Sequence, residues 1–158
     1  MRQLESLARL CAVLGGLLLT TITLMTCVSL LGRNALGITI AGDFELTGVV
    51  AGAAIALFLP WCQVRRANII VDFFTTHASD RSNRRFDRFG ALLLALSTAL
   101  LSWRTTVGGL NAYATGSGTM MLGFPEWVVY LSIVPPLGLT ALIALWQAVD
   151  PNPSTDRR

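Results

Sequence analysis

The chain has 158 residues, of which 53% are hydrophobic and only 13% are charged. A soluble domain of this size presents more polar surface than that composition provides, so we expect lipid to cover much of the molecule. All twelve basic residues are arginine and the formal charge is +3, an excess that predicts contact with anionic membrane lipid and shows no pattern typical of nucleic-acid binding.

Four stretches with no charge, or with one, approach or reach the roughly 20 residues that a helix needs to cross a bilayer core. The predicted fold is therefore an all-α integral membrane protein with four transmembrane helices, and residues 1–158 form a single membrane domain. The predicted helices cover residues 7–31, 43–64, 88–110 and 126–149, with a cytoplasmic loop over 65–87 and a tail over 150–158.

The arginines are distributed unevenly between the two sides of the predicted membrane domain. The N-terminus, the loop between the second and third helices and the tail hold ten of them, whereas the opposite side has only Arg33 outside the helices. Short cytoplasmic loops are enriched in Lys and Arg, so this distribution predicts that both termini are cytoplasmic.

The second helix has small residues at four-residue spacing, namely Gly48, Gly52 and Ala56. Such a face lets another backbone approach closely, which predicts a helix-packing surface for this chain or for another protein. The alternative is that glycine and alanine are simply abundant in membrane helices.

The connection after the second helix has an apolar front half over residues 68–74 that is too short to cross a membrane. We expect it to lie in the membrane interface as an arm, here called the interfacial arm, although an extension of the second helix is the alternative. The arm also includes the residues just before this half, from Arg65 on, and its polar members are Arg65, Arg66, Asn68 and Asp72.

Two ionisable residues, Glu45 and Arg104, are placed at membrane depth by the predicted helices. A charge at the centre of a bilayer costs roughly 2.5–3.5 kcal/mol, so such residues are candidates for a functional role. Both fall in the same leaflet, which predicts an ion pair between them. In the alternative, Glu45 lies at the water boundary and the Arg104 side chain extends to the headgroups alone.

Groupings typical of an enzyme are missing from the sequence. It has no Gly-rich phosphate loop and no paired metal-ligand motif, and its one histidine, His77, falls in the cytoplasmic loop. The three cysteines have no metal-like spacing and lie in predicted helices. We therefore predict no catalytic activity, no cofactor, no metal and no disulfide.

Two segments of the sequence, together with Glu45 at the start of the second helix, resemble a known family. The first, residues 65–72, reads Arg-Arg-Ala-Asn-Ile-Ile-Val-Asp, with Asn68 where that family usually has histidine. The second begins at Thr119 and includes Pro125 and Trp127, in the loop before the fourth helix and at its start. In this order they resemble the small membrane subunit, DctQ type, of tripartite ATP-independent periplasmic (TRAP) transporters.

This resemblance implies a non-catalytic subunit of the bacterial inner membrane. Its partners would be a large membrane subunit of the DctM type, a periplasmic solute-binding protein and membrane lipid, and the complex would take up an organic anion together with sodium. The loops around Gly37 and Gly118 would then be candidates for docking of the binding protein. The alternatives are a stand-alone homo-oligomeric exporter or channel, and the small subunit of a tripartite tricarboxylate transporter.

Overall fold

A computed structural model of the chain describes residues 2–37, 41–65 and 80–149. Within these ranges the chain forms four α-helices and no β-strand, and each helix is long and apolar enough to cross a membrane. The predicted all-α membrane fold is therefore confirmed. The helices are α1 (Arg2–Leu36), α2 (Asp43–Val64), α3 (Asp80–Thr115) and α4 (Glu126–Val149).

Two helices are longer than the sequence predicted. Helix α1 begins at Arg2 and ends at Leu36, and α3 begins at Asp80 and ends at Thr115. Apolar runs mark only the part of a helix that lipid covers, because a polar sequence can continue the same helix into water. Most of the interfacial arm, including Arg66, Asn68 and Asp72, lies outside the described residues.

The four helices are neighbours in the order α1, α2, α4, α3, which differs from their order in the chain. Helix α1 packs along α2, α2 packs along α4, and α4 packs along α3, whereas α1 barely touches α4. Because α1 and α3 lie at the two edges of this row, most of their large apolar side chains are exposed, for example Leu17 and Leu100. Lipid or a partner subunit must cover these surfaces.

Close helix contacts are made at glycines other than the predicted ones. A Cβ added to Gly15 of α1 would lie 3.1 Å from the backbone oxygen of Ala54 in α2, and one added to Gly109 of α3 would lie 2.8 Å from Cβ of Tyr130 in α4. A Cβ added to Gly48 or Gly52 would meet nothing within 4 Å. Within this chain, therefore, those two glycines do not bring helices together.

A pair of glutamines joins α2 to α4 near the end where both helices finish. Gln63 Nε2 donates to Gln147 Oε1 at 2.8 Å, and Gln147 Nε2 donates to the backbone oxygen of Gln63 at 2.9 Å. Gln63 is only 4% exposed. Hydrogen bonds between helices satisfy polar groups that lipid cannot, so this pair specifies how α2 and α4 align.

Candidate interaction site at the loop end

The end of α1, the start of α2 and the connection from α3 into the start of α4 form what is here called the loop end of the molecule, comprising residues 33–37, 41–45 and 116–127. Helix α3 ends there with Gly116 in the left-handed conformation, at φ +64°. The N–H of Gly116 donates to the oxygen of Tyr113 at 3.4 Å, and the N–H of Ser117 donates to that of Ala112 at 3.1 Å. This pattern is a Schellman motif, which reverses the chain while satisfying the last carbonyls of the helix.

Thr119 closes the tight loop that follows. Its N–H donates to the oxygen of Phe124 at 2.9 Å, and its Oγ1 accepts from the Phe124 N–H at 3.1 Å. Its backbone oxygen accepts from Gly123, which has φ +62°. Thr119 was singled out from the sequence as part of a motif, and the structure places both its backbone and its side chain at the closure of this loop.

The start of α4 is fixed to the end of α3 by backbone and ring contacts. Gly118 and Pro125 form an isolated antiparallel bridge. The Trp127 ring meets the ring of Tyr113 edge-to-face, with centroids 5.9 Å apart and planes at 87°. Pro125 and Trp127 therefore lie at the loop end, where α4 begins.

Glu45 holds this loop against the first turn of α2. Its Oε1 accepts a hydrogen bond from the N–H of Met121 at 2.9 Å, and its Oε2 accepts one from the N–H of Leu122 at 3.2 Å. The Leu122 side chain packs against Gly42, where an added Cβ would overlap it and where φ is +77°. Hydrogen bonds to an ionised carboxylate are stronger than neutral ones, so Glu45 attaches the loop to α2.

The predicted ion pair between Glu45 and Arg104 is not formed. Both oxygens of Glu45 accept hydrogen bonds from the loop, and Arg104 is exposed with no carboxylate within 4.0 Å among the described residues. The physical reason is the order of the helices, because α4 lies between α2 and α3. The apolar runs predict a similar depth for the two residues but do not reveal which helices are neighbours.

A different ion pair joins α1 to α2, and the sequence reasoning missed it. Arg33 Nη2 lies 3.8 Å from Oδ2 of Asp43, and the Ser29 hydroxyl donates to the same oxygen at 2.5 Å. In the part of the chain that the structure describes, this is the one salt bridge. The available signal was opposite charge on two residues separated by a short connection between antiparallel helices.

Large apolar side chains are exposed on the segments that meet at the loop end. Met120 is 100% exposed, Phe44 is 86% exposed and Leu36 is 73% exposed. Met121, whose backbone is held by Glu45, also presents its side chain to the outside. Exposed apolar groups on a hydrogen-bonded loop are typical of a surface that contacts a partner.

The other predicted site residues are distributed along α2. Gly48 is exposed, Gly52 is half-buried and Ala56 is buried, so only Ala56 packs within the chain. At the C-terminal end of α2, the Arg65 guanidinium lies 4.8 Å from the centroid of the Trp61 ring. The described residues include no cluster of three or more His, Cys, Asp or Glu that could hold a metal ion.

Comparison with known proteins gives one family match. Residues 22–151 match the family described as tripartite ATP-independent periplasmic transporters, DctQ component. The matched region runs from the middle of α1 past the end of α4 and includes the whole loop end. No curated protein and no solved structure matches the chain.

Proposed function

Because this chain belongs to the DctQ component family of TRAP transporters, we propose that it is the small, non-catalytic membrane subunit that supports a large DctM-type subunit in sodium-coupled uptake of an organic anion. The family match confirms the resemblance drawn from the sequence, and it favours this function over that of a tricarboxylate-transporter subunit or a stand-alone exporter. The substrate would reach the complex on a periplasmic solute-binding protein.

The ordered backbone and exposed apolar side chains of the loop end are the structural observation that supports this proposal. With both termini in the cytoplasm, the loop end faces the periplasm of a bacterial inner membrane. Its backbone is held by Glu45 and Thr119, so the exposed side chains of Met120 and Phe44 are presented from a defined surface. A surface that is ordered before contact loses less conformational entropy on binding, which suits repeated docking of a binding protein.

The open glycines of α2 support contact with the large subunit. Gly48 and Gly52 leave space for the backbone of a further helix, and none of the described residues fills that space. We assign the face formed by Gly48 and Gly52 to contact with a helix of the large subunit. Ala56, the next residue of the same pattern, packs within the chain instead.

The interfacial arm has a supporting role in this proposal. Arg65, Arg66, Asn68 and Asp72 follow the end of α2, where basic and polar groups favour the headgroup region. A segment held at that depth would resist tilting of α2 relative to the membrane. It would thereby keep the subunit fixed while the large subunit moves.

The test is affinity purification of the tagged chain from its native membrane in mild detergent, followed by mass spectrometry and by transport assays in liposomes. Recovery of a large multi-helix subunit, with uptake only when both subunits and the binding protein are present, is the expected result. A chain recovered alone as a homo-oligomer that transports solute by itself would overturn the proposal in favour of an exporter or channel.

A further inference from the structure

An open cleft lies at the end of the molecule opposite to the loop end, where α1 begins and α2 finishes. It has a volume of about 410 Å³. Arg9 of α1 and Arg65, which directly follows α2, both line it. Its lining residues are Glu5, Ser6, Arg9, Trp61 and Arg65.

The two arginines of this cleft have no carboxylate partner among the described residues. Neither Arg9 nor Arg65 has a carboxylate within 4.0 Å among the residues that the structure describes, although Glu5 lines the same cleft. The Arg65 guanidinium is held over the face of Trp61, with 4.8 Å to the ring centroid. Two guanidinium groups at one opening attract an anion, and their planar geometry suits phosphate oxygens in particular.

The position of the cleft indicates where such an anion would come from. Arg9 immediately precedes the apolar run of α1, and Arg65 immediately follows the end of α2. Trp61 lies one turn inside that end, at the level where indole rings favour the headgroup region. If α1 and α2 cross the membrane as the proposed function requires, the cleft opens at the depth of the lipid phosphates.

We propose that this cleft is a binding site for the phosphodiester headgroup of a membrane glycerophospholipid. Arg9 and Arg65 bind the phosphate oxygens, and Trp61 orients Arg65 and contacts the glycerol region. Glu5 accepts a hydrogen bond from an ammonium or hydroxyl group of the headgroup. The side chain of Ser6 is small enough to leave the cleft open.

Such a lipid would complete the contact between α1 and α2. The polar contacts between these helices described above lie at the loop end, where Ser29 and Arg33 meet Asp43. A phosphate held by Arg9 and Arg65 would join the same two helices at their other end. The lipid would therefore act as a structural component of the subunit, bound between its first two helices.

The inference can be tested on the full chain after its lipid has been exchanged for detergent. Phosphatidylglycerol, phosphatidylethanolamine and soluble glycerol 1-phosphate are added back separately, and native mass spectrometry counts the molecules bound. The unaltered chain should retain one phospholipid tightly. Arg9→Gln and Arg65→Gln should each weaken its binding about fivefold, as expected for loss of one arginine near a membrane surface.

Two further variants distinguish a specific lipid-binding site from general attraction of lipid to positive charge. Ser6→Phe fills the cleft without changing charge and should also weaken lipid binding. Arg33→Gln removes an arginine that is already paired with Asp43 at the loop end, and it should leave the bound lipid unchanged. Circular dichroism and gel filtration of each variant establish that it is folded before its lipid binding is compared.

Several results would overturn the inference. Unchanged lipid binding in Arg9→Gln, Arg65→Gln and Ser6→Phe would do so, as would an equal loss in Arg33→Gln. Glycerol 1-phosphate binding as tightly as the lipid would instead identify a soluble phosphate as the ligand. Lipid binding is measured without the large subunit, so a failure here is distinct from a failure of the proposed transporter role.

Discussion

Oε1 of Glu45, in the first turn of α2, accepts a hydrogen bond from the backbone N–H of Met121, which lies 76 residues later in the chain. The bond is 2.9 Å long and joins the first hairpin, α1 with α2, to the loop between α3 and α4 of the second. The conformation of the proposed docking loop therefore depends on a residue of a distant helix.

Removal of the Glu45 carboxylate should release the loop from α2. In Glu45→Ala the N–H groups of Met121 and Leu122 lose their acceptors, so their amide hydrogens should exchange faster with solvent. Hydrogen-exchange mass spectrometry of the peptide covering residues 116–125 measures this effect. Glu126→Ala is the matched control, because the Glu126 carboxylate has no hydrogen bond within the described chain. Equal exchange in both variants would contradict the assigned contact.

A methyl group at the contact between α3 and α4 should destabilise the protein. In Gly109→Ala the new Cβ would lie 2.8 Å from Cβ of Tyr130, so the two helices must move apart. Overpacking of this kind costs about 1–3 kcal/mol. Thermal unfolding in detergent should show a lower midpoint for Gly109→Ala than for Gly48→Ala, whose Cβ meets nothing within 4 Å. An equal midpoint for the two variants would show that α3 and α4 do not approach here.

A larger side chain on the open face of α2 should weaken assembly without unfolding the subunit. Gly48→Leu fills space that the described residues leave open and that is assigned above to a helix of the large subunit. Less large subunit should then be recovered with the tagged chain, at unchanged thermal stability of the chain itself. Gly90→Leu is the control, because Gly90 is also exposed and equally free of neighbours but lies on α3. Full recovery with Gly48→Leu would exclude this face from the interface.

Loss of the glutamine pair should loosen α2 from α4. Gln147→Leu removes the two hydrogen bonds between Gln147 and the nearly buried Gln63. Hydrogen bonds between membrane helices contribute on average about 0.6 kcal/mol each, so we expect the free energy of unfolding to fall by roughly 1 kcal/mol. Unfolding in a denaturing detergent measures the change. Gln3→Leu, at an exposed position of α1, should leave the stability unchanged, and a similar loss there would argue against a specific role for the pair.

A charge at the tip of the loop should impair docking of the binding protein without affecting folding. Met120 is fully exposed, so Met120→Glu should leave folding unaffected while placing a charge where the binding protein is proposed to make apolar contact. Uptake by the reconstituted complex should then need a higher concentration of loaded binding protein. Met120→Leu keeps an apolar side chain and should behave like the unaltered chain. Normal uptake with Met120→Glu would remove this loop from the docking surface.

The sequence predicted the membrane helices well, because a long apolar run is visible without knowledge of tertiary structure. It did not predict which residues meet across helices. The predicted helices give Glu45 and Arg104 a similar depth, yet Glu45 contacts the loop before α4 and α4 separates the two helices. Gly48 lies in a small-residue pattern, while Gly109 makes the close contact. Periodicity in the sequence places residues on faces of a helix, but which helix each face meets depends on how all four helices pack together.

The order α1, α2, α4, α3 has a consequence for how the protein is made. Consecutive helices pair as two hairpins, α1 with α2 and α3 with α4, so each hairpin can form as soon as its second helix has been synthesised. The hairpins then need to meet along one seam, between α2 and α4. Hydrogen bonds join the two hairpins at each end of this seam. At one end the Glu45 carboxylate binds the loop before α4, and at the other Gln63 binds Gln147. Together they fix the register in which the two hairpins pack.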